Sequence, residues 1–319
     1  MPTMAGRSLG CTGGTIDKIE SVPGLKTALK PEEIIKQLLK NGCAIFSQSS
    51  SMAPADKKIY AVRDQISCVD SPGLITASIL SKKIAEGIEG LLLDLKVGSG
   101  AFMKDFQDAK GFAAIFCSTA KRLGLKTVVF VTDMDQPLGK YIGNILEIKQ
   151  ACEILSGKDD PLYSDIKTLV TEFAGEMLLM AGVAHDMDGA RQKVQEALTS
   201  GKAFEKFKQM VTAQKGDAEY LDGSKKFPEP KNITEIKSEQ EGYIKKVNAG
   251  KIAECLVKIG ALGGPECDNS AGVAFEKKYG DFVRENDILG YMYHRFDDFD
   301  AKAVQAKNIF LDAYEYTGG

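Results

Sequence analysis

The sequence predicts an α/β fold, a parallel sheet flanked by helices, followed by a smaller β-rich domain. Three observations carry this prediction. Helical patterns alternate with short apolar runs through the first 132 residues, the rhythm of right-handed βαβ crossovers. Two of those runs, 91–97 and 127–132, are almost uninterrupted apolar sequence, as strands buried on both faces require. After a lysine- and proline-rich stretch at 223–231 the pattern changes to short alternating segments between glycine and Asn-Asp turns.

Taken in order, residues 16–21 form the first turn of a helix or the turn leading to one. Pro31–Asn41 reads as a helix, with proline in its first turn and Glu32 and Glu33 near its positive end. Its apolar Ile34, Ile35, Leu38 and Leu39 lie on one side. Residues 43–48 make a brief strand. Ser71-Pro72 opens a helix to about residue 87, with Leu74, Ile75, Ser78, Ile79 and Lys82 at helical spacing. A strand at 91–97, an amphipathic helix at 105–123 and a strand at 127–132 complete one crossover. Ligands in such sheets sit at the carboxyl ends of strands, where Gly98-Ser99-Gly100 and Thr132-Asp133-Met134 fall. Residues 162–214 read as helical and polar-faced, and 223–231 as an exposed linker. Gly242–Val247, 271–273, 280–283 and 288–293 punctuate the β-rich remainder.

Composition bounds the function. At 319 residues the chain has room for two domains and parts of a third, and its formal net charge of -3 argues against a nucleic-acid binder, which needs clustered Lys and Arg. No apolar run approaches the ~20 residues of a membrane helix and no signal peptide opens the chain, so no membrane partner and a cytoplasmic location are expected. Seven cysteines, at 11, 43, 68, 117, 152, 255 and 267, are scattered without CxxC pairs, the pattern of reduced thiols. His185 and His294 are too few and too far apart for a metal cluster.

The chemistry starts at Gly6-Arg7-Ser8-Leu9-Gly10-Cys11-Thr12-Gly13-Gly14-Thr15, four glycines and three hydroxyl side chains in ten residues. Such a loop lets the backbone approach an anion, and its N–H groups can converge into a nest. It fits neither the dinucleotide fingerprint nor the P-loop, so an ordinary glycine-rich loop remains the alternative. Further along come Ile59-Tyr60-Ala61-Val62-Arg63-Asp64, Val69-Asp70-Ser71, the helix from Leu74 to Lys83, and Leu93-Asp94-Leu95-Lys96-Val97-Gly98-Ser99-Gly100-Ala101-Phe102-Met103. Arg63 offers planar donors suited to a carbonyl that becomes negative. Ser78 and Lys82 lie one helical turn apart and share a face. Alone, these spacings read as the charged faces of solvated helices.

In this order and spacing the segments closely resemble the pyrimidine nucleoside phosphorylase and thymidine phosphorylase family, over nearly the whole length and more weakly between about 155 and 235. The resemblance implies a pentosyltransferase that converts thymidine or uridine and phosphate to free base and pentose 1-phosphate, with phosphate as co-substrate and no cofactor. It implies catalytic roles for Arg63 and Lys82, and base binding by Leu9, Tyr60, Arg63, Val69, Ile75, Ser78, Lys82 and Phe102. Phosphate falls to Thr15. It divides the chain into an α/β phosphate-binding domain at 1–53 and 88–222, a remnant of a small α-helical domain at 54–87, and a C-terminal β-rich (α+β) barrel-sandwich domain at 223–319. It also implies a cytoplasmic homodimer.

The chain departs from the family pattern at several points. Ala5 stands in place of a phosphate-binding serine, and Cys11 in place of a histidine. The family's reported monovalent-cation site would use backbone carbonyls of Leu138 and Tyr141, but Gln150 replaces its carboxylate, so no metal is expected. The family's Lys-His-Ser-Thr-Gly-Gly phosphate loop lies upstream of the Gly6 motif, and the chain begins five residues before that motif. The expectation is therefore an incomplete chain with little activity as written. The alternative is a non-catalytic homologue that keeps a base pocket or a dimerisation role. A remoter one is phosphoribosyl transfer, although pyrophosphate-binding acidic motifs are not evident. Loss of the opening helices would expose Leu74, Ile79, Leu80 or Ile84.

Overall fold

Parallel strand pairing organises the N-terminal part of the computed structural model, which describes residues 1–8, 13–49, 52–65, 71–262, 267–297 and 299–317, apart from the side chains of residues 57, 60, 61, 64 and 65. The chain opens with β1 (Pro2–Ala5), α1 (Thr15–Glu20), α2 (Pro31–Asn41) and β2 (Ala44–Ser47). There follow α3 (Pro54–Gln65), α4 (Pro72–Ala85), β3 (Gly90–Val97), α5 (Phe106–Arg122) and β4 (Lys126–Asp133). The middle holds β5 (Tyr141–Ile142), α6 (Asn144–Leu155), α7 (Ser164–Met180), α8 (Met187–Thr199) and α9 (Lys202–Ala213). Next come β6 (Asn232–Lys237), β7 (Gly242–Val247), α10 (Ala249–Lys258) and β8 (Gly272–Phe275). The last elements are β9 (Phe282–Val283), β10 (Ile288–His294), α11 (Ala301–Asp312) and β11 (Tyr314–Tyr316). Contacts divide the chain into two units, one of Met1–Gly6, Thr27–Asp133 and Thr171–Gln195, the other of Arg7–Lys26, Met134–Val170 and Glu196–Gly319.

In the first unit β1 pairs in parallel with β2, Ala5 opposite Ser47, and β3 with β4, Val97 opposite Asp133. Among the described residues these are two separate two-stranded sheets, so the expected parallel sheet is present in two pieces. Parallel neighbours need a crossover, and α5 supplies it between β3 and β4. Asp105 caps that helix by accepting from Gln107 N at 2.8 Å and Asp108 N at 2.9 Å. Helix α2 has its predicted bounds: the Glu33 carboxylate accepts from Lys30 N at 2.8 Å, and Gly42 closes it at φ 77°, a left-handed conformation that favours glycine. Of its four apolar side chains only Ile34 is buried, packing with Met4, Ala44 and Phe46, while Ile35 and Leu39 are exposed.

Helix α4 lies over the second core cluster, where Leu80 packs with Leu91, Phe112 and Phe116. Leu80 is only 2% exposed, which corrects the expectation that it would be uncovered. The helix turns this residue toward β3 and α5, whereas Leu74 and Ile84 are exposed and Ile79 is half-buried.

The second unit contains two small antiparallel sheets, ordered β5-β8-β10-β6 and β11-β7-β9. Its core includes Ile244, Val247, Ile252, Leu256, Val273 and Phe310. Helices α10 and α11, whose positions the sequence reading of this α+β region did not name, pack against each other. In the same unit α1 packs on α6, and Lys18 pairs with Glu147 between them. No helix is long and apolar enough to cross a membrane among the described residues. Cys43, Cys117, Cys152, Cys255 and Cys267 are free thiols.

Candidate active site

Two successive helices, α3 and α4, carry the base-side residues. Helix α3 bears Asp56 and Arg63, seven residues and so about two turns apart on one face. Helix α4 bears Ser78 and Lys82, four residues apart. The two helices meet through an ion pair, with Lys82 Nζ 2.8 Å from Asp56 Oδ2 and also donating to Ser78 Oγ at 2.8 Å. Gln48, the residue after β2, donates from Nε2 to Asp56 Oδ2 at 3.3 Å. The cluster therefore stands at the carboxyl end of a parallel strand, where α/β sheets place ligands.

Asp56 is 8% exposed, and Arg63 and Ser78 are similarly buried. Burial pushes the Asp56 carboxyl up, but hydrogen bonds from Lys82 and Ser78, the Lys82 charge and the Gln48 amide outweigh it. They hold the carboxyl below its ordinary value. Asp56 is thus an ionised acceptor at neutral pH. Removing one member of such a buried pair leaves the other charge unpaired, which is more costly than never having buried it.

Ile75 is half-buried and packs against the Leu80 cluster. Phe102 is 70% exposed, on a tight turn after β3 in which Ala101 N donates to Gly98 O at 3.0 Å and Gly98 N to Met103 O at 3.0 Å. Gly98 has φ 128°, which a side chain would not tolerate at this turn. Tyr60 is within α3, but its side chain lies outside the described residues, as do Leu9 and Val69 altogether. Thr15 is exposed at the first position of α1. Arg63, Ile75, Ser78, Lys82 and Phe102 belong to the first unit and Thr15 to the second.

The glycine-rich segment is tied down by Asp17 on α1. This carboxylate accepts from Arg7 Nη1 at 2.9 Å and from Ser8 N at 2.6 Å, while Arg7 Nη2 reaches Glu20 at 2.7 Å. The chain folds back so closely that a Cβ on Gly14 would lie 2.2 Å from Ser8 N and 2.3 Å from the Arg7 carbonyl carbon. The expected nest of free donors is altered by this geometry, because the Ser8 N–H is already committed to Asp17. Residues 9–12 of the motif lie outside the described residues.

Gln150 stands where the resemblance places a cation-binding carboxylate. Its amide oxygen accepts from Lys140 N at 2.7 Å and Tyr141 N at 3.0 Å. A neutral amide already engaged by two backbone donors does not fit a cation ligand. Among the described residues no three His, Cys, Asp or Glu side chains are grouped to hold a metal.

The profile of the glycosyl transferase family a/b domain matches residues 1–204. The chain is 39% identical over 314 residues to the pyrimidine-nucleoside phosphorylase of Geobacillus stearothermophilus, covering 97% of this chain and 72% of the relative. It is 37% identical over 300 residues to the enzyme of that name from Bacillus subtilis, covering 93% of this chain and 69% of the relative. A Staphylococcus haemolyticus relative of the same name is 38% identical over the same coverage.

The chain belongs to the pyrimidine-nucleoside phosphorylase family. Within the profile-matched region of this family member lie Thr15, Arg63, Ser78 and Lys82. Asp56 and Gln48, which organise the base-side cluster, escaped the sequence reading, as did Asp17, which holds the glycine-rich segment within the second unit. Asp56 follows Pro54-Ala55 in the first turn of a helix, where an acid is expected for the helix dipole alone.

Proposed function

We propose that this chain is a pentosyltransferase that cleaves pyrimidine nucleosides by phosphorolysis. The bond from the sugar's anomeric carbon to the base breaks, its electron pair leaving on the base. A bond from that carbon to a phosphate oxygen forms. Phosphate is itself the nucleophile, so the chemistry requires no organic cofactor. What the protein supplies is positioning, charge stabilisation and exclusion of water.

On this reading Arg63 and Lys82 act on the base, donating to carbonyl oxygens that gain negative charge as the bond breaks. Ser78 contacts the ring edge beside Lys82. Tyr60, Leu9, Val69, Ile75 and Phe102 line the base, and Thr15 donates to phosphate. The homodimer, the cytoplasmic location and a barrel-sandwich made by the two antiparallel sheets of the second unit belong to the same reading. The observation that carries it is the cluster of buried Asp56 and Ser78 with half-buried Lys82 at a strand's carboxyl end, with Arg63 on the same face of α3 as Asp56.

The test is release of uracil or thymine from uridine or thymidine by the purified chain, with and without phosphate. Phosphate-dependent release that Lys82→Ala abolishes supports the reading. Release that ignores phosphate overturns it. Uracil binding without any release assigns the chain to the non-catalytic base-binding alternative, which Ala5 favours by withholding a hydroxyl from the phosphate side.

A further inference from the structure

We infer that Asp17 is a positioning residue for the phosphate side of the reaction: its carboxylate fastens the two ends of the glycine-rich segment together and keeps Arg7 occupied, leaving the anion to Thr15. The inference rests on the reading of Thr15 as a phosphate contact. Asp17 belongs to α1, and the interior fixes its place there. Ile16 and Ile19, on either side of it, are buried, and Lys18 ties the helix to Glu147 on α6. From this platform one carboxylate oxygen accepts from Arg7 Nη1 at 2.9 Å and the other from Ser8 N at 2.6 Å. Arg7 Nη2 donates to Glu20, one turn further along α1, at 2.7 Å. The guanidinium fork thus spans two carboxylates, and Arg7 cannot serve a ligand without leaving them.

Closure is tight. A Cβ on Gly14 would lie 2.2 Å from Ser8 N and 2.5 Å from Asp17 Oδ2, so the backbones at Ser8 and Gly14 approach as closely as glycine alone permits. Thr15 is the next residue, and its position follows from that contact. A segment whose ends are already held loses less conformational freedom when an anion binds. A donor fixed in advance also serves a developing charge better than one that must first be ordered. Arg7 alone does not supply this, because its side chain is 59% exposed and an exposed ion pair contributes little by itself. The Asp17 side chain is 15% exposed, and its bond to the Ser8 N–H fixes the chain itself. The sign of the effect separates this role from plain electrostatics. A carboxylate two residues from a phosphate contact repels the anion, so on charge alone its removal tightens phosphate binding. The inference demands the reverse.

The experiment titrates inorganic phosphate and uridine separately into the full chain by calorimetry, with the melting temperature of each variant recorded. Asp17→Ala is expected to weaken phosphate by about tenfold or more, since small misplacements of a contact cost that much, and to leave uridine binding unchanged. Asp17→Asn keeps an acceptor for the Ser8 N–H but loses the charge that holds Arg7, and should fall between the two. Gly14→Ala forces the same closure open from the other side. It should weaken phosphate comparably, and the double variant with Asp17→Ala no further, since both remove one interaction. Phosphate affinity unchanged or raised in folded Asp17→Ala, while Thr15→Ala still weakens it, overturns the inference and leaves the Thr15 reading standing. Equal losses of phosphate and uridine assign Asp17 a general structural role and overturn the inference as well. Phosphate binding that is absent from the unsubstituted chain, or indifferent to Thr15→Ala, overturns the Thr15 reading and this inference together. Should Asp17→Ala fail to fold, Asp17→Asn decides alone: an unchanged phosphate affinity there overturns the inference.

Discussion

At the scale of residues, Asp56 is the side chain whose state is most constrained. It loses most of its hydration, yet three side-chain donors keep it ionised, with a carboxyl below its ordinary value. The sign of the pH effect follows. A carboxyl whose folded-state pKa is depressed stabilises the fold above its unfolded pKa, and that contribution disappears as pH falls through the folded value. Urea unfolding at pH 7 and pH 3 should show the unsubstituted chain losing more stability between the two than Asp56→Asn loses. Equal losses would mean that the pair with Lys82 does not form in solution. Arg63 and Ser8 make a contrasting couple. Removing a preorganised donor to a developing charge typically costs about 10²–10³ in rate, and Arg63→Ala should lower kcat/KM by that order. Ser8→Ala should change it little, because the bond from Ser8 to Asp17 uses the backbone N–H, which alanine keeps. Similar losses in both variants would contradict the assignment of Arg63 to the base.

At the scale of elements, the interior fixes the helix that carries Ser78 and Lys82. Leu80 lies between them in sequence and is locked among Leu91, Phe112 and Phe116. Leu80→Ala should destabilise the chain by about 2–5 kcal/mol in urea unfolding, and should reduce base binding in step with the loss of fold. A loss under 1 kcal/mol would show that α4 does not depend on this packing. The same contrast between pattern and packing explains what was legible beforehand. Helix α2 was readable to the residue because proline, acids and glycine mark both of its ends. Strand β7 was readable because its glycine start and alternation are local. Helix α10 was not, although Ile252, Cys255, Leu256 and Ile259 recur at helical spacing, because glycines and short alternating runs around it favour strands. Strand β1 begins with proline and spans four residues, and exists through its register on β2. For the site, Arg63, Ser78 and Lys82 were identifiable from motif resemblance, whereas Asp56 becomes functional only through a bond to a residue 26 positions away. No local pattern contains that distance.

At the scale of the whole molecule, the first unit leaves apolar side chains in water. On α3, Ile59 is 54% and Val62 is 56% exposed, three residues apart and so on one stripe. On α4, Leu74 and Ile84 are exposed, and on α2 Ile35 and Leu39, four residues apart, are exposed as well. Scattered exposed leucines are ordinary on any surface, but paired stripes on successive helices are the kind of surface that a second chain covers. Fully burying a leucine or isoleucine side chain is worth about 1.5–3 kcal/mol. A few such side chains on each of two copies could therefore outweigh part of the entropy lost on association. The chain is accordingly expected to self-associate at micromolar concentration, with a dimer as the stoichiometry that the family reading implies. Light scattering coupled to size exclusion measures this directly. Ile59→Lys together with Val62→Glu should shift the population toward monomer without changing the melting temperature by more than a few degrees, since neither side chain is in the core. A monodisperse monomer of the unsubstituted chain that binds no hydrophobic dye would refute self-association. A dimer unaffected by the double substitution would leave association standing and place it on a different surface.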